Sequence, residues 1–403
     1  MESDLVERLH GVYRDLHAHP ELSFQEQRTA GIAAAWLREC GYDVIEQIGT
    51  TGVAGVLRNG DGPTVLLRAD MDALPVPEAT GLDYASRTDG VMHACGHDMH
   101  VTCLLGAAAT LAATRGDWSG TVTVVCQPAE ETAQGAAAMV ADGLFDRIPR
   151  PDVVLGQHVA PIPAGVIGLR SGPAFAATDS LRVTLYGSGG HGSRPETTVD
   201  PVVMAAATVL RLQGIVSREV SGNDMAVVTV GALTAGTKYN IIPDEAELLL
   251  SVRTYDPAVR TKVLAAIERV VRAEAQASGA ATQPRIEAVE SAPAVVNDVA
   301  AVDRTRAALA GVVGAERVID PGPVTGSEDV GVLADAAGAP LVFWLLGGAD
   351  PSAFAGAADP AAMARIVAEL PSNHSPRYAP VEQPTISVGV AALAAAARHW
   401  LGA

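Results

Sequence analysis

Three apolar runs of strand length, TVLLRAD (64–70), TVTVVCQ (121–127) and DVVLGQH (152–158), alternate with helical patterns over about 99–114 and from about 133. Such alternation predicts a parallel or mixed sheet covered by helices, an α/β fold. In sheets of this kind, sites gather at the carboxyl ends of the strands. Each of the three strands ends in polar residues: Asp70 and Asp72 after the first, Glu130 and Glu131 after the second, His158 on the third.

From about residue 178 the pattern changes. SLRVTLYG alternates like a half-buried strand, a helix starts at Asp200 with Pro201 suited to its first position, and MAVVTVGAL, AELLLSVRTY, a helix over about 257–277 and RIEAVE follow. This order makes a compact α+β unit. After SAPAVVND the strand and helix alternation resumes, with PLVFWLLG as a buried strand and an Ala-rich terminal helix. The expected architecture is a larger α/β domain formed by residues 1–177 and 291–403, interrupted by a smaller α+β domain over 178–290. No internal repeat is visible, and the Ala richness is helix composition.

A chain of 403 residues with 48% hydrophobic content can bury a sizeable core. Its formal net charge of −18 repels polyanions, which excludes nucleic acid as a partner. The opening MESDLVERLHGVYRDLHAHPEL is charged and amphipathic, without the basic start and apolar core of a secretory signal, and no apolar stretch is long enough to span a membrane. A cytoplasmic location is the expectation. Cys40, Cys95, Cys103 and Cys126 are too few and too dispersed for a disulfide framework. Cys40, Cys103 and Cys126 sit in apolar or helical contexts and read as core residues.

Cys95 has a different setting, MHACGHDMH (92–100). Cys95 and His97 lie two apart across Gly96, which suits a loop bending both toward one ion, and His100 follows three after His97, so both could share a helix face. Thiolate and imidazole are good ligands for zinc or a similar transition metal, but two cannot make the whole shell. The alternative is that Asp98 caps the following helix while the histidines are solvated; His93 and His100 read as supporting or structural residues. In QPAEET, paired glutamates after a strand repel unless a cation or shared proton offsets them, which suggests one ligand and one general base. A solvated helix start remains the competing reading. His158 ends an apolar strand and also fits a satisfied core histidine, and NHSP places His374 in a Pro-bounded loop. GSGGHGSRPE contains G-x-G-x-x-G after a strand, yet Pro195 and a further loop delay the helix to Asp200, so no helix N-terminus follows to hold a pyrophosphate. His191 within it reads instead as an exposed probe that reaches another surface.

RADMDALP, MHACGHD, QPAEE, GQHV, GHGSRP, NIIPD, GSED and HSP occur in one order along the chain. This set resembles the M20 metallopeptidase family, in its branch of hippurate hydrolases, N-acyl-amino-acid aminoacylases and plant auxin-conjugate hydrolases. The likeness runs from HAHPEL (17–22) to the terminal helix. It implies a di-metal, aminopeptidase-like catalytic domain with a lid and dimerisation insert. It further implies ligands at Cys95, His97, Glu131, His158 and His374 for two divalent ions per subunit, Zn²⁺ or Mn²⁺, with Co²⁺ or Ni²⁺ as alternatives. Glu130 takes the place of the general base, and Asp72 that of the carboxylate orienting a ligand. His191 matches the histidine that reaches the partner's site in family homodimers, while Asn240 and Arg253 match positions holding substrate carboxylate or carbonyl groups.

The activity implied is hydrolysis of N-acyl amino acids to a carboxylic acid and a free amino acid. The ions would hold a water, lower its pKa toward about 7 and polarise the amide carbonyl. A dipeptidase or N-carbamoyl-amino-acid hydrolase on the same scaffold is the nearest alternative; a non-catalytic binding protein is a remoter one, since neither base nor ligand is lost. H-x-E with P-C-x-x-C is absent, which excludes a zinc deaminase. Two positions depart from the branch: Ala160 stands where an aromatic commonly follows GQHV, and Glu196 where His usually follows GHGSRP. Both bear on the acyl group accepted.

Overall fold

The computed structural model describes residues 3–357 and 359–402. It divides into two compact units, one comprising Met1–Ala174, Val296–Gly322 and Asp329–Ala403, the other Phe175–Val295 and Pro323–Glu328.

The first unit is built on an eight-stranded mixed sheet in the order Asp43–Ile48, Gly52–Asn59, Gly120–Gln127, Thr64–Asp70, Val153–Pro163, Leu341–Ala349, Ile167–Gly168 and Val318–Ile319. Its centre is parallel: Thr64–Asp70 runs parallel to Gly120–Gln127 and to Val153–Pro163, and the last of these parallel to Leu341–Ala349. The carboxyl ends carrying Asp70, Gln127 and His158 therefore lie at one edge, with Asp70 directly paired to Gln127. These central strands are almost wholly buried, as expected for a parallel sheet covered on both faces.

The helix His97–Ala113 shares the core with Ser3–Ala18 and Thr385–Trp400 through Leu9, Leu104, Leu105, Val390 and Leu393. Each such side chain removed from water contributes roughly 1.5–3 kcal/mol. Gly106 sets the approach of the terminal helix: a Cβ there would stand 2.4 Å from Val390 Cγ2.

Two boundaries differ from the sequence reading. The helix expected from about 99 starts at His97, because Gly96 in the left-handed region (φ 86°) turns the chain straight into it. The helix expected from about 133 starts at Gly135, since Ala133 holds a left-handed φ of 52° that no helix accepts.

The second unit is a four-stranded antiparallel sheet, in the order Ala226–Ala235, Glu245–Thr254, Ala177–Tyr186 and Arg285–Ala292, with helices Pro201–Glu219 and Pro257–Ala277. Both helices open with proline in the first turn and an aspartate cap: Asp200 accepts the Val202 amide, Asp256 those of Ala258 and Val259. Val183, Leu248, Leu250, Met204 and Ile267 form its own core. A short ribbon pairs Gly190–His191 with Ile241–Ile242. Among the described residues, no helix is long and apolar enough to cross a membrane.

Candidate metal centre

Asp72 organises the edge of the central sheet. Its Oδ1 accepts the Glu130 amide at 3.1 Å and faces His97 Nδ1 at 3.2 Å, and its Oδ2 accepts the Glu131 amide at 3.0 Å and the Ser23 hydroxyl at 2.7 Å. Burial pushes the Asp72 carboxyl up, but the His97 ring, Ser23 and the Glu131 amide outweigh it and hold it below the usual range. One carboxylate thus fixes both the histidine and the paired-glutamate turn. Glu26, also buried, takes the Ala129 amide at 2.9 Å from the other side of that turn. Ala129 (φ 49°), Ala133 (φ 52°) and His374 (φ 71°) occupy left-handed backbone, a concentration of strain typical of functional loops.

The histidine protons are set by their partners. With Nδ1 given to Asp72, His97 Nε2 is left buried and without a hydrogen-bond partner, 3.7 Å from Asp70 and 3.8 Å from each of Glu130 and Glu131. His158 donates Nδ1–H to the Val159 carbonyl at 2.9 Å, so Nε2, 3.5 Å from Cys95 Sγ, carries the lone pair. His374 Nε2 lies 3.2 Å from Glu131 Oε2. The groups of donors that result include Cys95 with His97 and His158, Cys95 with Glu131 and His374, and His97 with Glu130 and Glu131, the donor atoms of each lying within 4.8 Å of one another. Cys95 belongs to the first two.

Sulfur, imidazole nitrogen and carboxylate oxygen together are the donor set of a borderline divalent transition metal. The site's own electrostatics call for positive charge. Burial and Glu131 push the Cys95 thiol up. Cys95 and Glu131 raise His374 to about 10. His97 is raised well above the ordinary histidine value, against its burial, by Asp70, Asp72 and Cys95. Protons are drawn to where a cation would serve, and the partnerless buried atoms His97 Nε2 and Glu131 Oε1 are two it would satisfy.

Residues 66–371 match peptidase family M20/M25/M40. The chain belongs to this family. Hippurate hydrolase of Campylobacter jejuni is 40% identical over 335 residues, 82% of this chain and 86% of that protein. N-acetylcysteine deacetylase of Bacillus subtilis is 39% identical over 294 residues, 72% of this chain and 76% of that protein. The crystal structure of the Bacillus subtilis YXEP protein, a dinuclear metal binding peptidase from the M20 family, aligns with a TM-score of 0.79 at 30% identity, covering 100% of this chain and 99% of that one.

In this M20 chain residues 92–100 are buried, unlike the solvated helix start that MHACGHDMH alone allowed. The helix cap is Gly96, and Asp98 lies inside the first turn, its carboxylate taking the Met99 amide at 2.8 Å and His17 at 2.6 Å. His93 is buried with neither ring nitrogen partnered, and burial lowers it to about 4, so it stays neutral. Arg68 and Asn373 were missed as supports, and Asp70 was noted only as a polar strand end; His100, read as supporting or structural, meets Asp70 at 2.5 Å. Asn373 carried a local hint, standing next to His374; its side-chain amide reaches the Cys95 carbonyl at 3.1 Å and the Val159 carbonyl at 3.2 Å.

His191, Asn240 and Arg253 belong to the second unit of the M20 chain. His191 is exposed, accepts the Ser193 amide on Nδ1 at 3.1 Å, and pairs in register with Ile241; the Gly192 amide donates to the Asn240 carbonyl at 2.9 Å. His191 and Asn240 thus share one ribbon. Arg253 stands on the strand Glu245–Thr254 between Val227 and Thr178, its Nη1 buried without a partner. The glycine-rich loop offers no phosphate cradle: the Gly187 amide is taken by the Asp244 carbonyl and that of Gly189 by the Asp244 carboxylate.

Proposed function

We propose that this M20 chain hydrolyses N-acyl amino acids to a carboxylic acid and a free amino acid, using two divalent ions, Zn²⁺ or Mn²⁺. The observation that carries the reading is Cys95 shared by two donor sets, with Glu130 at their rim. Cys95, His97 and His158 would hold one ion, Cys95, Glu131 and His374 the other. Bound there, divalent ions supply Lewis acidity to the amide carbonyl and acidify water at neutral pH.

Glu130 would then take the proton of the attacking water and pass it to the leaving nitrogen, so that carbonyl carbon gains an oxygen as its bond to nitrogen breaks. Its placement supports that role: its amide is fixed on Asp72 while its carboxylate stays beside His97 Nε2 at 3.8 Å. His191 of a second copy would donate a hydrogen bond to the tetrahedral oxyanion, and Asn240 and Arg253 would hold the substrate carboxylate or carbonyl. A homodimer through the second unit fits its outward apolar residues, Val203 at 64% exposure and Leu210 at 76%.

Dialysis against a chelator followed by return of Zn²⁺, Mn²⁺ or Co²⁺ tests the reading, with N-acetyl and N-benzoyl amino acids, dipeptides and N-carbamoyl amino acids as substrates. Activity on the acyl series that vanishes and returns with metal is expected. Full turnover by metal-free protein sinks the mechanism, and turnover confined to dipeptides or carbamoyl compounds moves the chain to that alternative.

A further inference from the structure

Behind the donor sets runs a chain of buried polar residues that gives no atom to either. Arg68, wholly buried, donates Nε to Gln127 Oε1 at 2.9 Å, Nη1 to Asp70 Oδ2 at 2.7 Å and Nη2 to Asp329 Oδ1 at 3.2 Å. Asp70 Oδ1 meets His100 Nδ1 at 2.5 Å. His100 Nε2 in turn accepts the Val159 amide at 2.7 Å. A backbone amide can only donate, so His100 carries its lone pair on Nε2 and its proton on Nδ1, toward Asp70. On the other side of Val159 the carbonyl is held by His158 Nδ1, the Asn373 amide and the Tyr378 hydroxyl.

Asp70, His97 and His100 place donor atoms within 4.8 Å of one another, close enough for an ion of their own. Their bonding argues against one. Both Asp70 oxygens are engaged, one by a guanidinium that would repel a cation, and the His100 lone pair is given to Val159. The group is arranged to orient, not to ligate.

We propose that Arg68, Asp70 and His100 are positioning residues for the Cys95–His97–His158 donor set. They lock the peptide before Val159, and with the Val159 carbonyl also fixed, His158 can satisfy Nδ1 only by pointing Nε2 at Cys95. His97, stacked on His100 with ring centroids 5.3 Å apart, is braced by the same residues. The relay holds neither Glu131 nor His374 of the other set; Glu131 is fixed through its amide by Asp72, which also faces His97. The relay therefore tunes one ion position of the two. This rests on the two-ion reading above.

The test is metal titration of the full chain, stripped of metal, with Zn²⁺ or Co²⁺. Wild type should take up two ions. His100→Leu should keep one tight ion and weaken the other by about 10- to 100-fold, the range for lost supports of metal ligands. The Cys95 thiolate-to-Co²⁺ absorption should persist in it. His100→Gln, whose amide oxygen can accept the Val159 amide, should recover most of the loss. Unchanged binding of both ions in His100→Leu, equal weakening of both, or no recovery in His100→Gln overturns the relay. Wild type that binds fewer than two ions overturns the two-ion reading itself. Should His100→Leu not fold, long-range ¹H–¹⁵N imidazole spectra of the wild type decide the matter, with the His100 signal assigned by its absence in His100→Gln: a proton on Nδ1 alone is expected, and one on Nε2 overturns the relay.

Discussion

Cys95 contributes to both donor sets, so one substitution there is felt at two positions. A thiol binds as thiolate while a serine hydroxyl stays protonated, and Cys95→Ser should therefore lower metal content at both, read by elemental analysis after dialysis. Two ions retained in full would remove Cys95 from the ligands. The neighbouring glutamates should separate cleanly. Glu130→Gln keeps shape and removes the base, so metal stays and turnover falls by roughly 10² to 10⁴, whereas Glu131→Gln should lose metal first. If the two variants have the same metal content, the assignment of base and ligand fails. Gly96→Ala forces a left-handed φ of 86° on alanine and sets its Cβ 2.4 Å from Val159 Cγ1; strain alone costs about 1–3 kcal/mol, which urea unfolding would register. The donor residues were legible in sequence because thiol, imidazole and paired carboxylates after apolar strands have few innocent explanations. Arg68 was not, since an arginine inside an apolar strand reveals nothing of partners 59 and 261 residues away.

At the scale of elements, the helix His97–Ala113 is anchored at its start by a buried charge cluster. His17 Nδ1 lies 2.6 Å from Asp98 and Nε2 3.3 Å from Glu78, with the rings of Tyr13 and Tyr84 packed around it. Burial disfavours the imidazolium, but the carboxylates on either side prevail and raise His17 to about 10. A histidine of the unfolded chain titrates near 6.5. The stabilisation is thus complete below about pH 6.5, declines as pH rises and is gone above about 10. His17→Gln should consequently be most destabilised relative to wild type near pH 6, the gap closing toward pH 10 in urea unfolding; a constant gap would show that His17 is neutral when folded. The periodicity of this helix and of its neighbouring strands was plain from sequence. Its start was less plain, because Cys95 to His97 read as a loop, whereas Gly96 supplies a left-handed turn straight into the helix and Asp70 and Asp72 take the rings of His100 and His97.

For the whole molecule, sequence periodicity follows the strand and helix order of both units, but it is blind to Pro323–Glu328, which joins the second unit through bonds such as Ala176 amide to the Val324 and Gly326 carbonyls rather than through any local pattern. The same blindness applies between copies of the chain, where the proposed role of His191 must be tested rather than read. Its ring is exposed on a ribbon with Asn240, in a unit that holds none of the proposed metal ligands. If it serves a partner's site in a two-fold dimer, His191→Ala and Glu130→Gln homodimers should both turn over poorly. Mixed with subunit exchange, each heterodimer has one site with its own Glu130 and the partner's His191 intact, while the other site lacks both. Random pairing of equal amounts makes about half the dimers mixed, so activity should rise to about a quarter of wild type. Exchange followed by mass spectrometry of the intact dimers, with no recovery of turnover, would show that His191 acts within its own chain or not at all.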